Sequence, residues 1–147
     1  MIIPFEPEHA QAIVADNLRK QDDCFTDAEQ FLKLYDAARN GGPAYTLMVD
    51  DVPVACAGVV LQGWRKGEAW SLLSSLFHCH KIKVFRALKS GLDSVIFDHQ
   101  LRRVQSVVNP EYPQTIDFIE CLGFEYEGRL KRYGPFGEDY LMFSRTI

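Results

Sequence analysis

The segment FEYEGRLKRYGPFGEDYLMFSR at 124–145 decides the fold. Two strand-like stretches flank its Gly-Pro-Phe-Gly turn at 134–137, which predicts a β-hairpin. Just upstream, Leu-Gly at 122–123 ends a short amphipathic helix, because glycine after the last apolar position is a common helix stop. Before that helix, an apolar strand at 104–108 runs into Asn-Pro at 109–110. The last third of the chain therefore predicts strand, helix, strand, strand.

Working outward toward the N-terminus, helical and strand patterns alternate without a linker, repeat or low-complexity segment. Thr26 and Glu29 form a capping box, and tight turns at 50–51 and 63–67 indicate an antiparallel meander. The predicted elements before the C-terminal helix and hairpin are a strand at 2–5, helices at 8–18 and 26–38, strands at 44–49, 54–61 and 68–74, a helix at 84–99 and a strand at 101–108.

This order predicts one α/β domain, 1–147, with a central mixed sheet of about seven strands. The N-terminal meander is antiparallel, and a right-handed β-α-β crossover follows it. Such connections place helices on both faces of the sheet.

The bulk composition narrows the functional class. The chain has 147 residues, 47% hydrophobic and 24% charged, with a net charge of −4, as in an ordinary folded domain. The acidic balance argues against a nucleic-acid partner, although Lys81, Lys83, Arg86 and Lys89 form a local basic cluster. No signal peptide and no apolar run of the ~20 residues that cross a bilayer is visible, so we expect a cytoplasmic protein with no membrane partner.

The cysteines are spaced too widely for a structural zinc site. Cys24, Cys56, Cys79 and Cys121 contain no C-x-x-C pair, and we expect no metal and reduced thiols. Cys56 and Cys121 lie in apolar surroundings and are predicted to be buried.

The strand, the helix ending in Leu-Gly-Phe and the hairpin, together with the element order of nearly the whole chain, resemble the GNAT acetyltransferase superfamily. Members of that superfamily move an acetyl group from acetyl-CoA to an amine. The resemblance implies a GNAT-like sheet, acetyl-CoA as cofactor and a small-molecule or protein amine as acceptor. Whether the protein forms a homodimer is left open by the resemblance.

The segment that would hold the cofactor departs from the family pattern. GNAT proteins carry a Q/R-x-x-G-x-G/A loop whose backbone approaches the pyrophosphate. Here the corresponding stretch is SSLFHCHKIKVFRAL at 74–88, without glycine. Ile82 and Val84 replace the small residues and are expected to crowd the phosphates, whereas basic side chains offer direct charge. The resemblance implies cofactor contacts from Leu72, Leu73, Ser74, His80, Lys81, Ile82, Lys83, Val84 and Asn109.

The resemblance also implies catalytic roles. The tyrosine that usually protonates the departing thiolate is replaced by Ile119, so Thr115 and Tyr133 are the candidate acids. Glu68, at the start of the fourth strand, is the candidate base. Each has a structural alternative: a solvent-exposed charge for Glu68, a helix-start residue for Thr115 and cross-strand packing for Tyr133.

A second interpretation is that the protein has no catalytic activity. VDDVPVACAGVV at 49–60 and GEAWSLLSS at 67–75 resemble small acetyltransferase-like proteins encoded by tailed phages near their virion genes. That resemblance implies a catalytically degenerate binding or assembly protein with a virion or assembly partner, located in the host cytoplasm or the virion.

Overall fold

A computed structural model describes residues 1–19, 40–134 and 136–147, and in these ranges the chain forms one mixed sheet. Its strands are β1 (Ile2–Pro4), β2 (Ala44–Val49), β3 (Val52–Leu61), β4 (Lys66–Leu73), β5 (Arg103–Val108), β6 (Glu125–Leu130) and β7 (Tyr140–Thr146). The helices are α1 (Pro7–Arg19), α2 (Lys81–Asp98) and α3 (Pro113–Cys121), with a 3₁₀ helix at Ser75–Cys79. The helix predicted at 26–38 lies outside the described residues.

The seven strands are arranged in the order β1-β2-β3-β4-β5-β7-β6. Among the strands of the described ranges, only β4 and β5 pair in parallel, and the other neighbours are antiparallel. Asp50 and Asp51 both have positive φ, the geometry of the two-residue hairpin turn that suits the twist of paired strands. The predicted mixed sheet and N-terminal meander are confirmed.

Helices cover both faces of the sheet, as predicted. On one face, Ala10, Ile13 and Val14 of α1 pack against Cys56 and Leu72. The other face carries α2 and α3, whose apolar stripes bury against β3, β5 and β7 in a cluster that includes Val59, Leu92, Val95, Val104, Ile119 and Phe143. The two clusters follow from the alternation of side chains along β3 and β4.

Two local expectations need correction. Residues 75–79 form a 3₁₀ helix instead of a loop, because the Ser74 hydroxyl accepts a hydrogen bond from the Leu76 N–H at 3.1 Å. Cys121 is exposed on α3, whereas Cys56 is buried as predicted. The α3 helix ends as the sequence indicates: Gly123 has φ +94°, and the Phe124 N–H reaches back to the Ile119 carbonyl at 3.2 Å.

Candidate functional site

The central feature is a fork between β4 and β5. Their parallel pairing covers only Lys66↔Arg103, Gly67↔Val104 and Glu68↔Gln105. Beyond that point the Ser106 hydroxyl still reaches the Ala69 carbonyl at 3.1 Å, and then the strands diverge. Ser71 is exposed although it lies in the middle of a central strand. An edge has therefore been opened inside the sheet.

A cavity of about 870 Å³ passes through this fork. Glu68, Ala69, Trp70 and Ser71 are consecutive residues of β4, and all four line the cavity. Successive strand residues point to opposite faces of a sheet. Residues from both faces of the sheet at β4 therefore line the cavity.

On the helical face, the cavity lies between α2 and α3, and contacts close it at two ends. At one end, the Phe118 ring of α3 packs edge-on against Phe77 and Phe85, with centroids 5.7 and 6.2 Å away. At the other end, Arg145 pairs with Asp93 of α2 at 2.7 Å and donates to the carbonyl of Leu122, the C-cap of α3, at 3.3 Å. These bridges hold the two helices on either side of the hollow.

Backbone N–H groups of β4 face the fork at alternate residues. The Ser74 N–H donates to the Val54 carbonyl of β3 at 2.8 Å. Along a strand the N–H groups alternate in direction, so Leu72 also donates toward β3 and the N–H groups of Ser71 and Leu73 point to the fork. The cofactor contacts of Leu72 and Ser74 stay predictions, and their side chains have structural roles. The Leu72 side chain is in the α1 core and the Ser74 hydroxyl caps the 3₁₀ helix.

Asn17 of α1 fixes the end of β4. This side chain is fully buried; its amide nitrogen donates to the Leu73 carbonyl and its oxygen accepts from the Ser75 N–H, both at 2.9 Å. Beside it, the Ser75 hydroxyl donates a hydrogen bond to the Asp16 carboxylate at 3.1 Å. The sequence shows Asn17 only as a polar residue within the apolar stripe of a helix. That pattern marks a buried polar contact without identifying its partner.

The N-terminus of α2 lies at the end of the segment that leaves the fork. Its first internal hydrogen bond runs from the Val84 N–H to the His80 carbonyl, and the side chain of the N-cap residue His80 makes no capping hydrogen bond within the described part of the chain. The N–H groups of the first turn therefore point outward beside the exposed Lys81 and Lys83. Because backbone donors, helix dipole and cations coincide, this end suits a phosphate.

The two residues expected to crowd the phosphates, Ile82 and Val84, have different surroundings. Ile82 is 69% exposed and turned to solvent, whereas Val84 is fully buried in the core beside Leu47 and Ala55. Val84 lines the inner cavity, and His80 occupies the N-cap position. Lys81, Ile82 and Lys83 are exposed at the N-terminus of α2 and do not line the cavity itself.

On the opposite face, the cavity ends among one carboxylate and two tyrosines. Glu68 is half-buried and accepts a hydrogen bond from the Gln62 amide at 2.9 Å. Tyr133 and Tyr140 face each other with ring centroids 5.4 Å apart. Partial burial, and next the negative charge of Glu68, raise the pKa of Tyr133. The pKa of Tyr140 is also raised, mainly by burial and then by the negative charge of Glu138 and other nearby groups.

The remaining predicted residues lie in the wall of the same cavity. Thr115 is an exposed residue in the first turn of α3, and Asn109 follows β5. The Asn109 side chain accepts from the Glu111 N–H at 3.0 Å, which shapes the turn into α3. The structure therefore brings Glu68, Tyr133, Thr115, Leu73, Val84 and Asn109 to one cavity.

The described fold is similar to solved acetyltransferase structures over nearly the whole chain. Ard1 from Thermoplasma volcanium aligns with a TM-score of 0.76 and 16% identity, covering 100% of this chain and 97% of that one. RimJ from Mycobacterium smegmatis, in complex with CoA-disulfide, aligns with a TM-score of 0.73 and 23% identity, covering 99% and 80%. An acetyltransferase of the GNAT family from Streptococcus pneumoniae gives 0.72 and 14%, covering 100% and 98%. The chain has the GNAT acetyltransferase fold. No family model and no curated protein sequence matches it.

The fork follows from the strand pairing. The β3–β4 register runs without a shift from Ala55↔Leu73 to Leu61↔Gly67, whereas the β4–β5 pairing ends at Glu68↔Gln105. Ser71 and Tyr140 are cavity residues that the sequence analysis missed. In the sequence, the alternation of side chains along a strand is the feature that could have indicated them. It does so only when the strand register relative to Glu68 and Leu73 is known.

Two further observations concern the described ranges only. No helix within them is long and apolar enough to cross a bilayer. Nor do three or more His, Cys, Asp or Glu side chains of that part of the chain gather as a metal site requires.

Proposed function

We propose that this protein is an N-acetyltransferase that moves an acetyl group from acetyl-CoA to an amine. The observation that carries the proposal is the end of β4–β5 pairing at Glu68↔Gln105, with a cavity lined by residues from both faces of the sheet at that point. Such a passage lets a donor and an acceptor approach one reacting centre from opposite sides.

The phosphate end supports the same proposal. The uncapped first turn of α2, with Lys81 and Lys83 beside it, offers backbone donors and positive charge to a diphosphate. The distance along the chain from this turn to the fork is short, since only the 3₁₀ helix separates β4 from α2. Side-chain cations take the place of the glycine-rich backbone loop.

The residues around the fork have distinct roles in the proposed reaction. Acetyl-CoA, when bound, supplies the activated thioester. Glu68 accepts the proton of the ammonium group, and the free amine forms the new C–N bond. The Leu73 N–H, held in place by Asn17, donates a hydrogen bond to the oxyanion. Tyr133 donates its phenolic proton to the sulfur as the C–S bond breaks, and the second proton of the attacking nitrogen returns to the phenolate as the amide forms.

Calorimetric titration of the protein with acetyl-CoA tests the proposal. We expect micromolar affinity, weakened by about tenfold or more in the Lys81→Glu/Lys83→Glu double variant because two phosphate-binding cations are reversed. Lys131→Glu, an exposed change on the β6–β7 hairpin, is the matched control and keeps the affinity. Thiol release in the presence of a polyamine or a peptide with a free N-terminus then identifies the acceptor class.

One result would contradict the proposal. If millimolar acetyl-CoA gives no heat and no protection against thermal unfolding, the cavity does not serve this donor. The catalytically degenerate binding or assembly protein, with a virion partner among its candidates, would then be favoured. The Phe77–Phe118–Phe85 contact, which closes one side of the cavity, is the feature consistent with that outcome.

A further inference from the structure

The turn between β3 and β4, here called the tryptophan turn (63–66), holds two bulky residues in a conformation that suits glycine. Gly63, Trp64 and Arg65 have φ of +80°, +53° and +59°. The turn between β2 and β3 has the same sign of φ at Asp50 and Asp51, but aspartate tolerates it, whereas bulky side chains are strained there. Strain of this kind clusters where a particular side chain is needed, so the tryptophan turn is a candidate for function.

The tryptophan turn is held against the segment that leads into β5. The Arg65 side chain donates from Nε to the Gln100 carbonyl at 2.6 Å, and the Arg102 N–H donates to the Arg65 carbonyl at 2.7 Å. The Arg102 guanidinium also donates to the Trp64 carbonyl at 3.1 Å. These bonds fix the backbone of the turn, while the Trp64 side chain is 83% exposed. The fold therefore presents an indole ring to the solvent from a fixed backbone.

Three cations accompany this ring. The Lys66 ammonium lies 5.9 Å from the centroid of the Trp64 ring, a cation–π distance, and Arg65 and Arg102 are exposed on the same turn and the segment bound to it. Within the ranges that the structure describes, none of the three cations forms an ion pair with a carboxylate. Because the whole chain has a net charge of −4, this positive patch is a local departure. Charge complementarity favours an acidic partner, to which the exposed ring adds apolar contact.

The tryptophan turn is continuous with the end of the cavity that holds Glu68. Lys66 and Glu68 are two residues apart in β4, so their side chains lie on the same face of the sheet, about 7 Å apart along the strand. Glu68 offers a negative charge to an ammonium group, whereas the turn offers positive charge. A polypeptide with a free N-terminal amine and acidic residues further along matches both. Since Trp64 precedes Glu68 by four residues, roughly four extended residues of such a polypeptide span the interval.

We propose that the tryptophan turn docks an acidic segment of a polypeptide acceptor whose N-terminal amine is acetylated beside Glu68. This inference rests on the proposed acetyl transfer at the fork and names the class of its acceptor; the reaction itself is unchanged. The acidic residues of the acceptor begin at about its fourth position. Their carboxylates pair with Arg65, Lys66 and Arg102.

Two matched peptides test the proposal with the intact protein. Both have a free N-terminus and three small residues, followed by four glutamates in one peptide and four glutamines in the other. With acetyl-CoA present, thiol release should give a kcat/KM at least about tenfold higher for the glutamate peptide, and added salt should reduce this preference because the paired charges are exposed. Binding is followed separately by tryptophan emission, which the glutamate peptide should change through Trp64.

Trp64→Asn is the most informative variant, because asparagine tolerates positive φ and relieves the strained turn. Its free energy of unfolding should equal or exceed that of the wild type, whereas the preference for the glutamate peptide and the emission change should be lost. Phe97→Ala removes a ring of similar exposure, 81%, from α2 and should alter neither. Lys66→Gln/Arg102→Gln keeps the ring, removes two cations and should lose most of the preference, while kcat/KM for the glutamine peptide is unchanged.

The outcomes separate this inference from the proposed function. Equal kcat/KM for the two peptides, a preference that survives Trp64→Asn, or transfer to a polyamine but to neither peptide would overturn the docking surface and leave the acetyltransferase proposal intact. If acetyl-CoA does not bind, both proposals fall. An emission change with phosphatidylserine vesicles but not with the glutamate peptide would show that the turn faces a membrane, which also overturns the inference. A preference that Trp64→Asn abolishes without loss of stability supports it.

Discussion

Glu68 lies opposite Gln105 in the last pair of the parallel β4–β5 ladder. The same carboxylate adds its charge to the burial that raises the pKa of Tyr133. One residue therefore marks both the point where the sheet opens and the acidic side of the cavity. This coincidence places the candidate base beside the opening through which a thioester and an amine would meet.

Glu68→Gln should remove most of the catalysis with little effect on the donor. Loss of a general base lowers rates by about 10²–10⁴-fold, so we expect kcat/KM for the acceptor to fall in that range while the Kd of the thioester is unchanged. Gln62→Ala removes only the hydrogen bond to Glu68 and is the matched control. Thiol release measures the rate, and a Glu68→Gln variant with nearly wild-type kcat/KM would exclude this base.

Tyr133→Phe should lower kcat by about tenfold or more without weakening substrate binding, because the phenol is the proposed proton donor. The donor must be protonated, and burial followed by the Glu68 charge raises the pKa of Tyr133. The wild type should therefore show no alkaline loss from this group below about pH 10. Tyr126→Phe, an exposed change on β6, is the control, and equal kcat values for wild type and Tyr133→Phe would sink this assignment.

Phe118→Ala should open the cavity on the side of α3. The Phe118 ring packs on Phe77 and Phe85, so these contacts must separate before a long ligand passes between α2 and α3. We expect stopped-flow association of acyl-CoA to accelerate several-fold. Phe97→Ala removes an exposed ring of α2 and should leave the rate unchanged. A slower association in Phe118→Ala would indicate that the ring contacts the ligand instead of blocking it.

The cysteine thiols should differ in reactivity according to their burial. Burial raises the pKa of Cys56 to about 11, although a hydrogen bond with Thr46 at 3.4 Å opposes the shift. Cys79 and Cys121 are exposed. In a Cys24→Ser background, Ellman's reagent should titrate Cys79 and Cys121 in the folded protein and Cys56 only after unfolding, because the thiolate is the reactive form. Rapid reaction at Cys56 would contradict the packing of α1 on β3.

Glu127→Gln should weaken the acid dependence of stability. Two hydrogen bonds from Arg103, one of 2.7 Å, lower the pKa of Glu127 from 4.5 to about 2, helped by Ser144. A lowered folded-state pKa contributes stability that is complete above the unfolded value of 4.5 and is lost as pH falls toward about 2. Urea unfolding between pH 2 and 5 should therefore have a shallower slope in Glu127→Gln. Glu125→Gln, on the same strand, should keep the wild-type slope.

The element order could be predicted from the sequence because its signals are local. The apolar stripe of α2, the Leu-Gly-Phe end of α3 and the hairpin turn each depend on neighbouring residues and on glycine's access to positive φ. The same local signals identified Glu68 and Tyr133 as residues at a strand start and in a hairpin. The 3₁₀ helix at Ser75–Cys79 was missed because a single serine hydroxyl decides it.

Tertiary structure decided everything that depends on which atoms face the fork. The sequence could not show that Leu72 and Ser74 donate toward β3 while Leu73 faces the opening, because that choice follows from the β3–β4 register. Nor could it show that Ile82 turns to solvent and Val84 to the core. Strand and helix patterns are set by neighbours along the chain, whereas an opening between β4 and β5 exists only because distant segments pair for a short distance and then part.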